Sequence, residues 1–307
     1  VILVVYVDDI ILAGPCLDDI EAVKKQLQSG FKVKDLVNLK YFLGLEIVRT
    51  PKGISLTQRK FCLEMIEHAD FLECKPARTP ISMKTSLSAS DGTPLEDITG
   101  FRHILGQLQY LTSTRPDICF PVQQLCQFQD CPTTVHLKAL HRILRYLKGC
   151  PGQGLWFPSN TDSQLSGFSD SDWATCPDSR KSITGYCTFL GSSLVTWRSK
   201  KQGTVSRSSS EAEYRALAQL SCEVQWLKAL LEFYGISHPH PIKVYCDNQS
   251  AIHIAENPVF HERTKHIEVD CHVVRERLKS GLLNLHHVST EFQLADIFTK
   301  GLSVDRG

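Results

Sequence analysis

An α/β (α+β) fold is predicted by three features of the 307-residue chain. Short β-branched apolar runs, bounded by Gly, Pro and Asp, recur as strands. Leucine-striped segments lie among them at helical spacing, most clearly Leu137, Leu140, Ile143, Leu144 and Leu147. The texture also shifts along the chain, helical from Thr99 to Gly149 and strand-rich after the Pro-Gly-Gln-Gly of 151–154. The length suits about two domains with sizeable cores.

The elements follow in order. Val1 to Val7 and Ile10 to Gly14 are apolar runs around Asp8 and Asp9, which predicts two buried strands with paired aspartates at the hairpin tip. Asp is also a common turn former, the plain alternative. Asp18 to Phe31 reads as an amphipathic helix, and Leu39–Ile47 with Ile54–Leu56 as a hairpin turning at Pro51-Lys52-Gly53. A helix over Gln58–Ala69 precedes a Pro-, Ser- and Thr-rich linker from Pro76 to Thr93. A second linker is expected at Pro151–Asn160. Beyond it Leu165–Ser169, Gly185–Leu190 and Leu194–Arg198 read as strands. Ser208 and Glu211 form a capping box for a long helix ending near Tyr234 and Gly235. Ile242–Cys246 is a strand, Ser250–Glu256 and His266–Lys279 are helices, Leu282–Val288 is a strand, and Gln293–Lys300 begins a last helix.

Composition narrows the class without naming a partner. Hydrophobic residues at 42% and charged residues at 22% are ordinary for a globular protein. The formal net charge is +1, so any nucleic-acid surface must be local. Twelve cysteines without framework spacing, and no secretory leader, predict reduced thiols and an intracellular location. No apolar run reaches bilayer-spanning length. The chain opens at Val1 inside a strand pattern without an initiator methionine, which predicts a piece of a longer protein.

Chemistry concentrates in acids on separate elements: Asp170, Glu213, Asp247 and Asp296. Two carboxylates about 4 Å apart repel by roughly 4 kcal/mol at an effective dielectric near 20, so a cluster needs shifted pKa values or divalent cations. Strand ends and helix starts are where open α/β sheets bind ligands. Four acids in this order suit a two-metal phosphodiesterase.

The chain resembles the Pol polyprotein of copia-type LTR retrotransposons, from the second half of the reverse transcriptase through ribonuclease H. Four stretches carry the first part: Tyr6-Val7-Asp8-Asp9, Tyr41-Phe42-Leu43-Gly44, Thr114-Arg115-Pro116-Asp117-Ile118 and Ile143 to Gly149. The second part rests on Ser169 to Ala174, Ser206 to Ser209, Glu211-Ala212-Glu213-Tyr214, Cys246 to Ala251, the Arg-Thr-Lys-His-Ile of 263–267 and Ala295 to Lys300. The resemblance implies a partial palm and thumb-like region in residues 1–82, a helical connection in 83–155 and a ribonuclease H-like five-stranded mixed sheet in 160–307. It implies that Asp170, Glu213, Asp247 and Asp296 hold Mg²⁺ or Mn²⁺ and cut the RNA strand of RNA–DNA hybrids. Asp8 and Asp9 would hold metal in the polymerase part, which is incomplete because the fingers and a third aspartate are expected outside this chain. The other class is an inert remnant that only binds nucleic acid.

Rivals and departures qualify these assignments. Asp172 lies on the same strand face as Asp170, whereas Glu211 is explained by capping. His286 or His287 is a candidate on the product side. Pro121 stands where the family has alanine and removes a helical amide; Thr175 stands where glycine is expected. Cys126, Cys131, His136 and His141 mimic a zinc pattern, but a five-residue step turns two histidines apart on a helix, so zinc is not expected. Arg198, Lys200, Lys201 and Arg207, with Trp197, form either a solvated turn or a phosphate-contacting rim.

Overall fold

The computed structural model describes residues 1–83, 85–257 and 267–304. Strands β1 (Ile2–Tyr6) and β2 (Asp9–Ala13) pair antiparallel with Tyr6 opposite Asp9. The sequence predicted buried strands, but the hairpin is largely exposed, because no third strand joins it among the described residues. Helix α1 (Leu17–Gly30) follows.

The expected second hairpin is β4 (Leu45–Thr50) with β5 (Gly53–Thr57), preceded by the short β3 (Tyr41–Phe42). The supposed linker at Pro151–Asn160 carries another strand, β6 (Leu155–Pro158), which pairs antiparallel with β5 from Gly53↔Pro158 to Leu56↔Leu155. Its pairing partner lies about a hundred residues away in sequence, so Pro and Gly punctuation alone reads it as coil.

Helices α2 (Arg59–His68), α3 (Ile98–Leu111), α4 (Cys119–Cys126) and α5 (Thr134–Gly149) enclose a core that includes Ile66, Leu105, Leu108, Leu125, Leu140 and Leu144. Pro121 falls in the first turn of α4, where the amide has no intrahelical acceptor, so it does not break the helix. The Thr-Arg-Pro-Asp stretch is a buried brace. Arg115 binds both Asp117 oxygens at 2.9 and 2.7 Å and the Cys150 carbonyl at 2.8 Å, while the Tyr146 hydroxyl donates to Asp117 at 2.7 Å. Three side chains of the zinc-like pattern are engaged separately, and Cys131 is exposed. His136 Nδ1 accepts from Thr133 N and its ring stacks on Phe128, His141 tilts against Phe71, and Cys126 accepts from Gln109.

The C-terminal part is built from β7 (Leu165–Asp172), β8 (Ile183–Leu190), β9 (Ser193–Lys201), α6 (Ser209–Phe233), β10 (Ile242–Cys246), α7 (Gln249–Glu256), α8 (Glu268–Lys279) and β11 (Leu283–His287). The five-stranded sheet runs β11-β10-β7-β8-β9, with β7–β9 antiparallel and β10 parallel to both neighbours. Helix α6 starts as expected, Ser208 accepting from Glu211 N at 3.2 Å while Glu211 accepts from Arg207 N at 2.7 Å. It buries Leu217, Leu220 and Val224 on the sheet, close enough that a Cβ on Gly167 would lie 2.9 Å from Leu220. The Arg-Thr-Lys-His of 263–266 lies outside the described residues. The last helix expected from Gln293 is a single 3-10 turn, Leu294–Phe298, which Gln293 caps at Ala295 N and which closes with Thr299 N donating to Asp296 O at 3.1 Å. Ile81, Phe120 and Ile183 form a small core that joins the linker, α4 and β8.

Candidate active site

The site lies where parallel strands part. Strand β10 pairs with β7 only from Ser166 to Phe168, which frees the next stretch of the β7 edge. Glu213, in the first turns of α6, uses that edge: its Oε1 accepts from Ser171 N at 3.1 Å. Asp247 follows directly on the last residue of β10, and its Oδ2 accepts from the Thr290 hydroxyl at 3.1 Å. Asp170 sits within β7 and accepts a short hydrogen bond from the Thr299 hydroxyl. Asp296 belongs to the 3-10 turn, which Gln293 pins to the strand by donating to Ser169 O at 2.9 Å.

Electrostatics tie the four together. Glu213 is pushed up to about 10, first by burial and then by Asp170 and Asp247. Asp296 rises to about 6, through burial with Asp170 and Asp247 adding against Lys300. Asp296 is only 3% exposed, and among the described residues Lys300 is the one cation paired with its carboxylate. Lys300 Nζ stands 2.8 Å from Asp296 Oδ1 and 3.6 Å from Asp170 Oδ2. Burial disfavours the Lys300 charge, yet Asp170, Asp296 and Asp172 together raise its pKa. Asp172 is half-buried and pushed up to about 6, by burial before Asp170 and Asp296.

Ligand atoms of Glu213, Cys246 and Asp247 fall within 4.8 Å of one another. Burial and Glu213 push the Cys246 thiol up, so it stays protonated and is a poor ligand beside carboxylates. Asp8 and Asp9 lie on the separate β1–β2 hairpin, and among the described residues no further carboxylate joins them in a possible metal group. His287 Nε2 lies 3.2 Å from the Asp247 carbonyl, while the His286 ring is tilted against Tyr245 with centroids 5.5 Å apart.

The basic cluster divides by strand alternation. Arg198 and Lys200 are exposed, whereas Lys201 turns to Gln127 and Cys176 at 2.9 Å each. Trp197 likewise donates to Thr112 O at 3.1 Å, against the helical part. Sequence reasoning missed Gln202, whose buried amide donates to Ser171, Thr184 and Ala212, together with Gln293, Thr299 and Lys300. The i, i+4 spacing of Asp296 and Lys300 was the one available signal.

Residues 1–83 match the reverse transcriptase (RNA-dependent DNA polymerase) family. The retrovirus-related Pol polyprotein from transposon RE1 of Arabidopsis thaliana is 45% identical over 303 residues, 99% of this chain and 21% of that protein. A putative transposon Ty5-1 protein of Saccharomyces cerevisiae is 33% identical over 72% of each chain. The chain belongs to the copia-type retrotransposon Pol polyproteins. This Pol segment spans about a fifth of the length of its Arabidopsis relative. Among solved structures, a foamy viral protease-reverse transcriptase in complex with RNA/DNA hybrid aligns over 94% of this chain and 36% of its own, with TM-score 0.47 and 16% identity. In the Pol segment the four acids stand on β7, α6, the end of β10 and the 3-10 turn. No helix among the described residues is long and apolar enough to cross a membrane.

Proposed function

We propose that residues 160–307 hydrolyse the RNA strand of RNA–DNA hybrids with Mg²⁺ or Mn²⁺, beside a polymerase-derived part in 1–82 and a helical connection in 83–155. The observation that carries this is the convergence of Asp170, Glu213, Asp247 and Asp296 beside the free edge of β7, close enough that Asp170 and Asp247 act on both Glu213 and Asp296. Such a donor set fits hard divalent cations: the ligand atoms are carboxylate oxygens, and the nearby thiol is protonated.

When bound, two such ions lower the pKa of an attacking water and stabilise the leaving oxygen. The chain's own residues prepare that state. Thr299 and Thr290 fix one oxygen each of Asp170 and Asp247, and Ser171 N fixes Glu213. Glu213, whose carboxyl is held up at about 10 by burial and its acidic neighbours, would have to lose its proton to hold such an ion. Gln202 ties β7, β8 and the start of α6 together behind these acids. Exposed Arg198, Lys200 and Arg207 supply phosphate contacts that position a duplex without reading its sequence. A hybrid is chosen by its shape and 2′-hydroxyls.

The test is cleavage by the purified chain of labelled RNA–DNA hybrid, double-stranded DNA and single-stranded RNA, with and without chelator. Metal-dependent cutting of RNA in the hybrid alone is expected. Hybrid binding without any cleavage across a metal titration favours the inert remnant.

A further inference from the structure

Lys300 places a positive charge inside the acid cluster. Its Nζ lies 2.8 Å from Asp296 Oδ1 and 3.6 Å from Asp170 Oδ2, and among the described residues no other lysine or arginine pairs with Asp170, Glu213, Asp247 or Asp296. Glu213 and Asp247 share the other half of the cluster, with Cys246. The acids are thus divided between a half neutralised by an ammonium and a half with no cation.

The contact with Asp296 is an ammonium–carboxylate ion pair, and Lys300 reaches it on a partly exposed side chain. A lysine ammonium is a compact point charge on a flexible stem, so it can leave without breaking a fitted geometry. The backbone beneath it is anchored: Thr299 N and Lys300 N both donate to Asp296 O, at 3.1 and 3.0 Å, and the Thr299 hydroxyl holds Asp170. The side chain is 36% exposed and borders a cavity of about 60 Å³ shared with Asp117, Tyr146 and Ile297, which gives it somewhere to go.

We propose that Lys300 is a built-in counter-ion, which neutralises the Asp170–Asp296 half of the site until a divalent cation displaces it. Its ammonium therefore sets the metal concentration at which the site fills. The inference rests on the metal-site reading above and adds a competitor to it. The metal-free fold keeps its acids together through Lys300, at the cost of weaker metal binding.

The experiment measures Mn²⁺ binding by electron paramagnetic resonance and thermal unfolding with and without metal. It compares the full chain with Lys300→Met and Lys300→Arg. Lys300→Met is expected to bind Mn²⁺ about tenfold tighter, equivalent to about 1.4 kcal/mol. It should melt lower without metal and gain more from metal than the parent chain. Lys300→Arg, which keeps the charge, should stay near the parent. Equal Mn²⁺ affinity in the parent and a folded Lys300→Met overturns the counter-ion role, and weaker affinity overturns it in favour of ligand positioning. Absence of Mn²⁺ binding in both folded proteins overturns the metal-site reading itself, and this inference with it.

Discussion

Gly185 stands directly across the β7–β8 pair from Asp170, and a Cβ on it would meet Thr299 Cγ2 at 2.6 Å, Phe298 Cβ at 2.9 Å and Ala295 O at 3.0 Å. The missing side chain lets the 3-10 turn lie on the sheet, which brings Asp296 and the Thr299 hydroxyl to Asp170. Gly185→Ala should push that turn away. Overpacking of this kind costs about 1–3 kcal/mol, and metal affinity should fall with it. Urea unfolding and a metal titration check both, and an unchanged midpoint with unchanged affinity contradicts the role given to Gly185.

Stability should depend on pH in a direction set by the buried acids. Glu213 has a folded value of about 10 against an ordinary 4.5, so the metal-free native state binds the extra proton. Stability is then fullest below the unfolded value and falls as pH rises towards the folded one. Asp172 and Asp296, at about 6 against 3.8, add to the fall in the acidic part of the range. The metal-free melting temperature should drop between roughly pH 5 and 9, and metal affinity should rise over the same window as protons are released. A melting temperature that climbs across that window in chelator contradicts the assignment.

The strand β6 changes what proteolysis should show. Residues 159–164 are exposed and follow it, so they are the expected place for a first nick. The two pieces should nevertheless stay associated. β6 remains on β5, Trp197 bonds Thr112, and Ile81, Phe120 and Ile183 pack across the join. Size-exclusion of nicked chain tests this, and a freely separating C-terminal piece would argue for independent domains.

Much of the C-terminal sheet was legible because its signals are local. The Ser208 cap and the Leu217–Leu231 stripe mark α6, and the apolar run ending at Cys246 marks β10. The four acids were legible from motifs that each lie within a few residues. What was hidden depends on distant partners. β6 needs β5 to be a strand, and Gly185 and Gln293 matter only once the register and the turn are known. The division of Arg198 and Lys200 from Lys201 follows from two-residue alternation along β9, which continues to Lys201 rather than ending at Arg198 as the sequence predicts. The β1–β2 hairpin read as buried because its residues are apolar, and composition alone does not supply the neighbours that burial requires.

The central claim is that Asp170, Glu213, Asp247 and Asp296 form the hydrolytic site, with Asp172 beside it. The most direct measurement compares RNA–DNA hybrid cleavage by the parent chain, Asp247→Asn and Asp172→Asn at saturating Mg²⁺ and matched folding by circular dichroism. Asp247→Asn keeps the side-chain size and removes one charge from the cluster, so cleavage should fall by at least about 100-fold, on the scale of losing a key electrostatic group. Asp172→Asn should lose far less. Undiminished cleavage by a folded Asp247→Asn, or a greater loss in Asp172→Asn, contradicts this account of the site.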